Sequence, residues 1–153
     1  MTASRPTPPP LAVTENTRAF ARRVAELAAA QNRKATRRDW LLQLLAADRL
    51  DLSTHLLHAI GADTESLRVS FASSSPDSDP WLVEAPDHFL HQEIASVARE
   101  AGHDYIGTEH ILLAFARAPG PSGSQLRAAG ITWDRVWRAF NAIEWADSSE
   151  FDT

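Results

Sequence analysis

The run GHDYIGTEHILLAFA, from Gly102 to Ala116, places small and polar residues directly before a strongly apolar stretch. Gly107, Thr108 and Glu109 stand where that stretch begins, so the hydroxyl of Thr108 is expected to cap the helix that follows. A helix N-terminus also offers free backbone N–H groups to an anion, and a carboxylate there can pair with a guanidinium. The run therefore predicts a helix cap, a ligand site, or both.

The same run contains two histidines, His103 and His110, which could suggest a metal site. Zinc sites usually combine histidine with cysteine or with carboxylates at ligand spacing, and the chain has no cysteine. We therefore expect no metal and a hydrogen-bonded, partly buried histidine. No paired acids and no nucleophile with its base can be assigned to one pocket, so we expect neither an enzyme nor a cofactor.

Composition limits the partners and the compartment. A formal net charge of −5 disfavours nucleic acid, which selects basic surfaces. No apolar run approaches the roughly 20 residues that a membrane helix needs, and the first 13 residues lack the apolar stretch of a signal peptide. Because the absence of cysteine is compatible with the cytosol, we expect a cytoplasmic protein with no membrane or nucleic-acid partner.

Apolar residues recur at helical spacing in two halves of the chain, which predicts an all-α fold built by internal duplication. The first helix, about Glu15 to Ala30, has its counterpart about 70 residues later, from Asp87 to Ala101. Offsets of 69 to 71 residues also relate the later apolar positions, so each half is expected to contain four helices. The pairs that carry this pattern are Phe20 and Leu90, Val24 and Ile94, Trp40 and Ile111, Leu44 and Phe115, Leu67 and Val136, and Phe71 and Phe140.

The third helix of each half is expected to be short, Ser53 to Ile60 and Ser124 to Ala129. A glycine follows each of them, as at a left-handed helix end, and an N-capping side chain comes two residues later. These residues are Gly61 with Asp63 and Gly130 with Thr132. The predicted segments are a disordered proline-rich tail at 1–13, a first repeat at 14–72, a mobile linker at 73–85, a second repeat at 86–145 and a frayed acidic tail at 146–153.

The stretch EAGHDYIGTEHILLAFA, followed by LRAAGITWDRV, resembles the Clp N-terminal repeat, which forms the substrate-receiving domain of the ClpC and ClpA unfoldases. The resemblance covers about Thr14 to Ile143 and implies a stand-alone Clp N-domain of two pseudo-symmetric four-helix repeats. The sequence contains no G-x-x-x-x-G-K-[ST] phosphate loop, so we expect no ATP hydrolysis by the machinery of that family.

The resemblance also implies a ligand site. In the ClpC family the glutamate of Gly-Thr-Glu-His helps to bind phosphoarginine, a degradation mark, which would assign this role to Gly107–Glu109. In the first repeat Thr36, Arg37 and Arg38 stand at the corresponding positions, and Thr36 with Asp39 predicts a capping box there. Arginines there would repel a guanidinium but attract a phosphate or a carboxylate. One phosphoarginine site is therefore expected, in the second repeat.

The resemblance predicts a binding module of the Clp proteolysis system: an adaptor, decoy or regulator whose partner is a protein or peptide, such as a Clp unfoldase, its substrates or its adaptors. The alternative is a protein that sequesters cyclic-peptide antibiotics aimed at the ClpC N-domain, and a third reading is a degenerate relic without a ligand. Val13, Trp81 and Leu82 lie in apolar segments beside predicted helices. They either form an exposed apolar surface for such ligands or pack on the core.

Overall fold

A computed structural model describes residues 11–46, 52–73, 79–84 and 88–151, with side chains described as far as residue 143. The described chain is mostly helical, which confirms the all-α prediction. None of its helices combines the length and the hydropathy that crossing a membrane requires.

Four α-helices form the first part of the described chain. They are α1 (Glu15–Ala29), α2 (Arg37–Leu44), α3 (Leu52–Ala59) and α4 (Thr64–Ser73). Helix α1 begins where Thr14, in extended conformation, accepts a hydrogen bond from the backbone N–H of Thr17 at 3.2 Å. Its buried face carries Phe20 and Val24, as the apolar spacing predicts.

The second part starts with a 3₁₀ helix (Pro80–Val83) and continues with four α-helices. Helix α5 (Ala95–Glu100) extends a π-helical segment (Phe89–Ile94), and it is followed by α6 (Thr108–Ala116), α7 (Gly120–Ala128) and α8 (Trp133–Phe151). Two short parallel strands, β1 (Ala12–Val13) and β2 (Tyr105–Ile106), connect the start of the first part to the loop before α6.

The predicted helix boundaries after α3 and α7 are confirmed. Gly61 and Gly130 have φ values of +72° and +91°, a region that glycine enters without a steric penalty. Asp63 then accepts a hydrogen bond from the N–H of Ser66 at 3.1 Å, and Thr132 accepts one from the N–H of Arg135 at 3.2 Å. Both are N-caps, of α4 and α8 respectively.

One hydrophobic core extends through both parts. Trp40 of α2 joins them, because its ring contacts Phe20 at 5.7 Å and Phe89 at 5.1 Å between centroids. Phe89 in turn meets Phe115 of α6 at 6.2 Å. These ring contacts pack the π-helical segment and α6 against the first helices.

Several predicted boundaries need correction. Residues 12 and 13 form the paired strand β1 instead of the end of a disordered tail, and residues 79–84 are folded onto the protein instead of forming a mobile linker. Helix α7 begins at Gly120, four residues before the predicted start, and α8 continues through Phe151 into the predicted frayed tail. Residues 1–10, 74–78, 85–87 and 152–153 lie outside the described residues, so the predictions for them remain predictions.

The early start of α7 has a long-range cause. Asp79 is only 4% exposed, and its carboxylate accepts hydrogen bonds from the N–H of Trp81 at 3.1 Å and of Ser122 at 3.0 Å. One carboxylate therefore caps both the 3₁₀ helix and the first turn of α7. Local sequence around Gly120 gives no sign of this, since the capping residue is more than 40 positions away.

Candidate functional site

The Gly-Thr-Glu-His motif opens α6, but its capping scheme differs from the prediction. The N-cap is Gly107, and Thr108 is the first helical residue. The expectation that the Thr108 hydroxyl caps its own helix is wrong: it accepts a hydrogen bond at 3.2 Å from the buried N–H of Ser53, in the first turn of α3. Thr108 thus donates no cap to its own helix and instead serves α3, earlier in the chain.

The carboxylate of Glu109 is enclosed by the protein. Glu109 is 3% exposed, and its side chain folds back over Gly107 so closely that a Cβ at position 107 would overlap Oε1. A ligand that paired with this carboxylate would first have to displace it from that position. The phosphoarginine role of Gly107, Thr108 and Glu109 therefore remains a prediction, and it requires the start of α6 to open.

The two histidines of the motif are bonded to each other. Nδ1 of His110 accepts a hydrogen bond from the N–H of Gly107 at 2.9 Å, so the proton of the neutral ring is on Nε2. That Nε2–H points at Nδ1 of His103, 2.7 Å away. Burial and the neighbouring His103 lower the pKa of His110 to about 4, which keeps the ring neutral near pH 7.

This bonding leaves neither nitrogen of His110 for a metal ion. His103 is also stacked on Tyr105, with 5.1 Å between the ring centroids and 12° between the planes. Among the residues described, no three His, Asp or Glu side chains form a group that could hold a metal.

The stretch that is predicted to correspond to this motif starts α2. Thr36 and Asp39 form the expected capping box: Asp39 N–H donates to the Thr36 hydroxyl at 3.3 Å, and Thr36 N–H donates to the Asp39 carboxylate at 2.7 Å. Arg33 makes two further hydrogen bonds to Asp39, at 2.6 and 2.7 Å. Burial opposes ionisation of Asp39, but the hydrogen bonds from Arg33 and Thr36 outweigh it and lower its pKa.

Arg37 is buried, at 7% exposed, and faces the second half of the chain. Its guanidinium donates to both oxygens of Glu93, at 2.5 and 3.3 Å, and to the carbonyls of Trp81 and Glu84, each at 3.0 Å. It also lies 4.5 Å from the centre of the Trp81 ring. The predicted attraction of a carboxylate is thus satisfied within the protein, while Arg38 beside it is half-buried.

A half-open groove of about 170 Å³ lies beside Arg37, between the 3₁₀ helix, the π-helical segment with the start of α5, and the end of α6. Three of its nine lining residues are aromatic, four are small or aliphatic, and two carry charged side chains. It is lined by Trp81, Phe89, Glu93, Val97, Ala114, Phe115, Arg117, Ala118 and Pro119. The rings of Trp81 and Phe115 meet edge to face at 5.7 Å and form one wall.

The charges at the rim are paired within the chain. Glu93 is bonded to Arg37, and Arg117 makes two hydrogen bonds to the carboxylate of Glu100, at 2.7 and 2.5 Å. The Arg117 guanidinium also stacks 4.4 Å above the ring of Trp133. The pairing raises the pKa of Arg117 and lowers that of Glu100, so both remain charged and the groove carries little net charge.

The three residues expected at an apolar surface are separated. Trp81 is half-buried and lines the groove. Leu82 is 1% exposed, so of the two alternatives it takes the second and packs on the core; it faces inward because the 3₁₀ helix is held by hydrogen bonds to Asp79 and Arg37. Val13 is half-buried in β1, paired with Ile106.

Sequence reasoning identified Trp81 but missed the rest of the groove. Phe115 was assigned to the core from its helical spacing, and nothing in the local sequence connects Glu93 or Arg117 to a site. No protein-family model and no curated protein matches the chain.

Proposed function

We propose that the chain is a non-enzymatic peptide-binding module whose ligand inserts one uncharged, apolar side chain into the groove beside Trp81. The observation that carries this proposal is the groove itself: half-open, aromatic-walled and about 170 Å³ in volume. An engineered protein cavity of about 150 Å³ is known to hold benzene. The groove therefore has room for one aromatic ring or one large aliphatic side chain of a peptide.

The charge pattern favours an uncharged ligand group. Glu93 and Arg117 are each paired with a side chain of the protein, so neither rim residue leaves an opposite charge to be satisfied by the ligand. A charged side chain entering the aromatic walls would lose hydration without gaining an ion pair. An apolar side chain would gain about 25 cal/mol for each Å² of apolar surface that it buries.

In this proposal the chain is built from two Clp N-terminal repeats. Support comes from helix ends at corresponding positions: α1 and α5 are followed by positive-φ residues at Asn32 and Gly102, and α3 and α7 by Gly61 and Gly130. In each pair the offset is 69 or 70 residues. A duplicated four-helix unit would produce this correspondence, because helix ends depend on local backbone geometry.

In this proposal the module acts in the Clp proteolysis system as an adaptor, decoy or regulator. Peptide segments that expose an apolar residue are what an unfoldase encounters in its substrates. The second candidate function, sequestration of cyclic-peptide antibiotics, is favoured by the same groove, since such a ligand can present an apolar side chain without charge. Phosphoarginine binding would be a separate activity at Glu109.

The test is a titration followed by amide chemical shifts in the ¹⁵N-labelled chain. The probes are the neutral peptide Ac-Ala-Phe-Ala-NH₂ and, separately, phosphoarginine. We expect the peptide to shift amides of Val97 and of residues 114–118, which line the groove. Shifts confined to residues 107–110, or no saturable shifts with the peptide, would contradict the proposal. Saturable shifts of residues 107–110 with phosphoarginine would support the separate site.

A further inference from the structure

We infer that Arg37, although it does not line the groove, is the positioning residue that makes the groove selective for uncharged side chains. The inference rests on the proposed function and adds the specificity of that site. It comes from the contacts of one buried guanidinium with three of the lining residues. Arginine is suited to this position because its planar fork of donors can bond and stack at the same time.

The first contact of Arg37 fixes an aromatic wall. Its Nη1 donates to the carbonyl oxygens of Trp81 and Glu84, both at 3.0 Å, and so ties down both ends of the segment 81–84. The guanidinium carbon lies 4.5 Å from the centre of the Trp81 ring and 5.5 Å from that of Phe89. Two rings that line the groove are thus held against one cation.

The second contact neutralises a rim carboxylate. Both oxygens of Glu93 accept hydrogen bonds from Arg37, while the Glu93 side chain is 40% exposed and lines the groove. A charge-assisted, two-point pair of this kind is strong and geometrically specific. A ligand in the groove therefore contacts a carboxylate whose charge is already balanced by the guanidinium of Arg37.

Loss of either partner should change the preferred charge of the ligand. Without the cation of Arg37, Glu93 would remain as an unbalanced carboxylate beside an aromatic groove, which favours a ligand with a cationic neighbour. Without the anion of Glu93, the buried cation would favour an anionic neighbour. A purely structural role for Arg37 would weaken all ligands alike and would not change their order.

The experiment measures dissociation constants for three probes: Ac-Ala-Phe-Ala-NH₂, Ac-Ala-Phe-Lys-NH₂ and Ac-Ala-Phe-Glu-NH₂. In the unsubstituted protein we expect the neutral peptide to bind at least as well as the other two. In Arg37→Gln the lysine peptide should gain about threefold relative to the neutral one, the size expected of a partly exposed ion pair. Unchanged affinity ratios in a folded Arg37→Gln protein would overturn the inference.

Two further variants keep the inference testable if Arg37→Gln does not fold. In Glu93→Gln the glutamate peptide should gain about threefold relative to the neutral one. The double variant Arg37→Gln with Glu93→Gln should return to the neutral preference. Ratios that stay unchanged in Glu93→Gln would also overturn the inference.

Arg127→Gln is the matched control. Arg127 donates to the carbonyls of Ala116 and Ala118 at 3.2 and 2.9 Å, beside the groove but away from Glu93. This variant should lose stability and keep the order of affinity of the three peptides. An altered order would show that the affinity ratios respond to any loss of stability, which would count against the inference. Failure of all three peptides to bind the unsubstituted protein would contradict the proposed function and the inference with it, whereas binding with unchanged ratios in the variants would contradict the inference alone.

Discussion

At the scale of single residues, position 107 shows how the Gly-Thr-Glu-His motif is built. The backbone of Gly107 is extended, with φ −119° and ψ 173°, so any residue could adopt it. The absence of a side chain matters there for space, because the Glu109 carboxylate occupies the place that a Cβ would take and would have to move away from it. Gly102 differs: its φ is +80° and the space beside it is open.

This contrast gives the first prediction. Gly107→Ala should lower the free energy of unfolding by about 2 kcal/mol, the typical cost of overpacking a buried site. Adding Glu109→Ala should recover part of that loss, since the overlapping carboxylate is gone. Gly102→Ala, the matched control, should also destabilise the protein through its left-handed backbone, but Glu109→Ala should not rescue it. Urea unfolding measures all four, and equal rescue at both positions would refute the steric explanation.

His110 gives a second prediction at this scale, on pH. Its folded pKa of about 4 lies below the value of about 6.5 for an unfolded histidine, so the unfolded chain takes up the proton first. The free energy of unfolding should therefore fall as the pH drops from about 6.5 to about 4, by an amount on the order of 3 kcal/mol. Carboxylates with lowered pKa, such as Asp39, lose their stabilisation only at lower pH.

Urea unfolding at a series of pH values measures this effect. His110→Gln should be less stable at pH 7, because a buried hydrogen-bonded ring is lost, but its stability should change less between pH 6.5 and 4. The exposed His91 provides the control, since His91→Gln should keep the pH dependence of the unsubstituted protein. An identical slope in His110→Gln would show that other groups cause the acid sensitivity.

At the scale of elements, Asp79 links the segment before the second half to α7. Its carboxylate caps two helices at once. Gly120, with φ +77°, lies next to this carboxylate: a Cβ at position 120 would be 3.6 Å from Oδ1 of Asp79. The 3₁₀ helix also carries Trp81 and Leu82, so this cap sets the position of one wall of the groove. The element is short, and it is hydrogen-bonded to both Asp79 and Arg37.

We therefore expect Asp79→Ala to cost about 2 kcal/mol of stability, roughly the sum of two N-cap interactions. Asp79→Asn should cost less, because the amide oxygen can still accept one of the two hydrogen bonds. Asp63→Ala, which removes the exposed cap of α4 alone, should have a smaller effect than Asp79→Ala. Thermal unfolding of the three variants would show the order, and a loss in Asp79→Ala no greater than in Asp63→Ala would contradict the double cap.

At the scale of the whole molecule, the sequence predicted the features that local rules control. Helix ends at Gly61 and Gly130, the N-caps Asp63 and Thr132, and the box at Thr36 all depend on residues within a few positions of one another. Apolar spacing likewise gave the buried faces, since a helix with a period of 3.6 residues must pack its apolar stripe somewhere.

What the sequence did not predict depends on contacts between distant residues. Thr108 caps a helix whose first turn is 55 positions earlier, and Arg37 bonds to Glu93, 56 positions later. Leu82 faces the core while Trp81 lines the groove because Arg37, more than 40 positions earlier, helps to hold the 3₁₀ helix. The groove is lined by segments that are far apart in the sequence, so no single motif could have revealed it.

Filling the groove tests whether it receives an apolar side chain of a ligand. Ala114 is half-buried on the groove wall, so Ala114→Phe should place a ring where the ligand side chain would go. Ala25→Phe, on an exposed position of α1, adds the same ring elsewhere and serves as the control. The measurement is the dissociation constant of Ac-Ala-Phe-Ala-NH₂ for these two variants and the unsubstituted protein, with circular dichroism to confirm that all three are folded. We predict that Ala114→Phe loses binding of the peptide while Ala25→Phe retains it. Equal affinity in all three proteins would contradict binding of an apolar side chain in the groove.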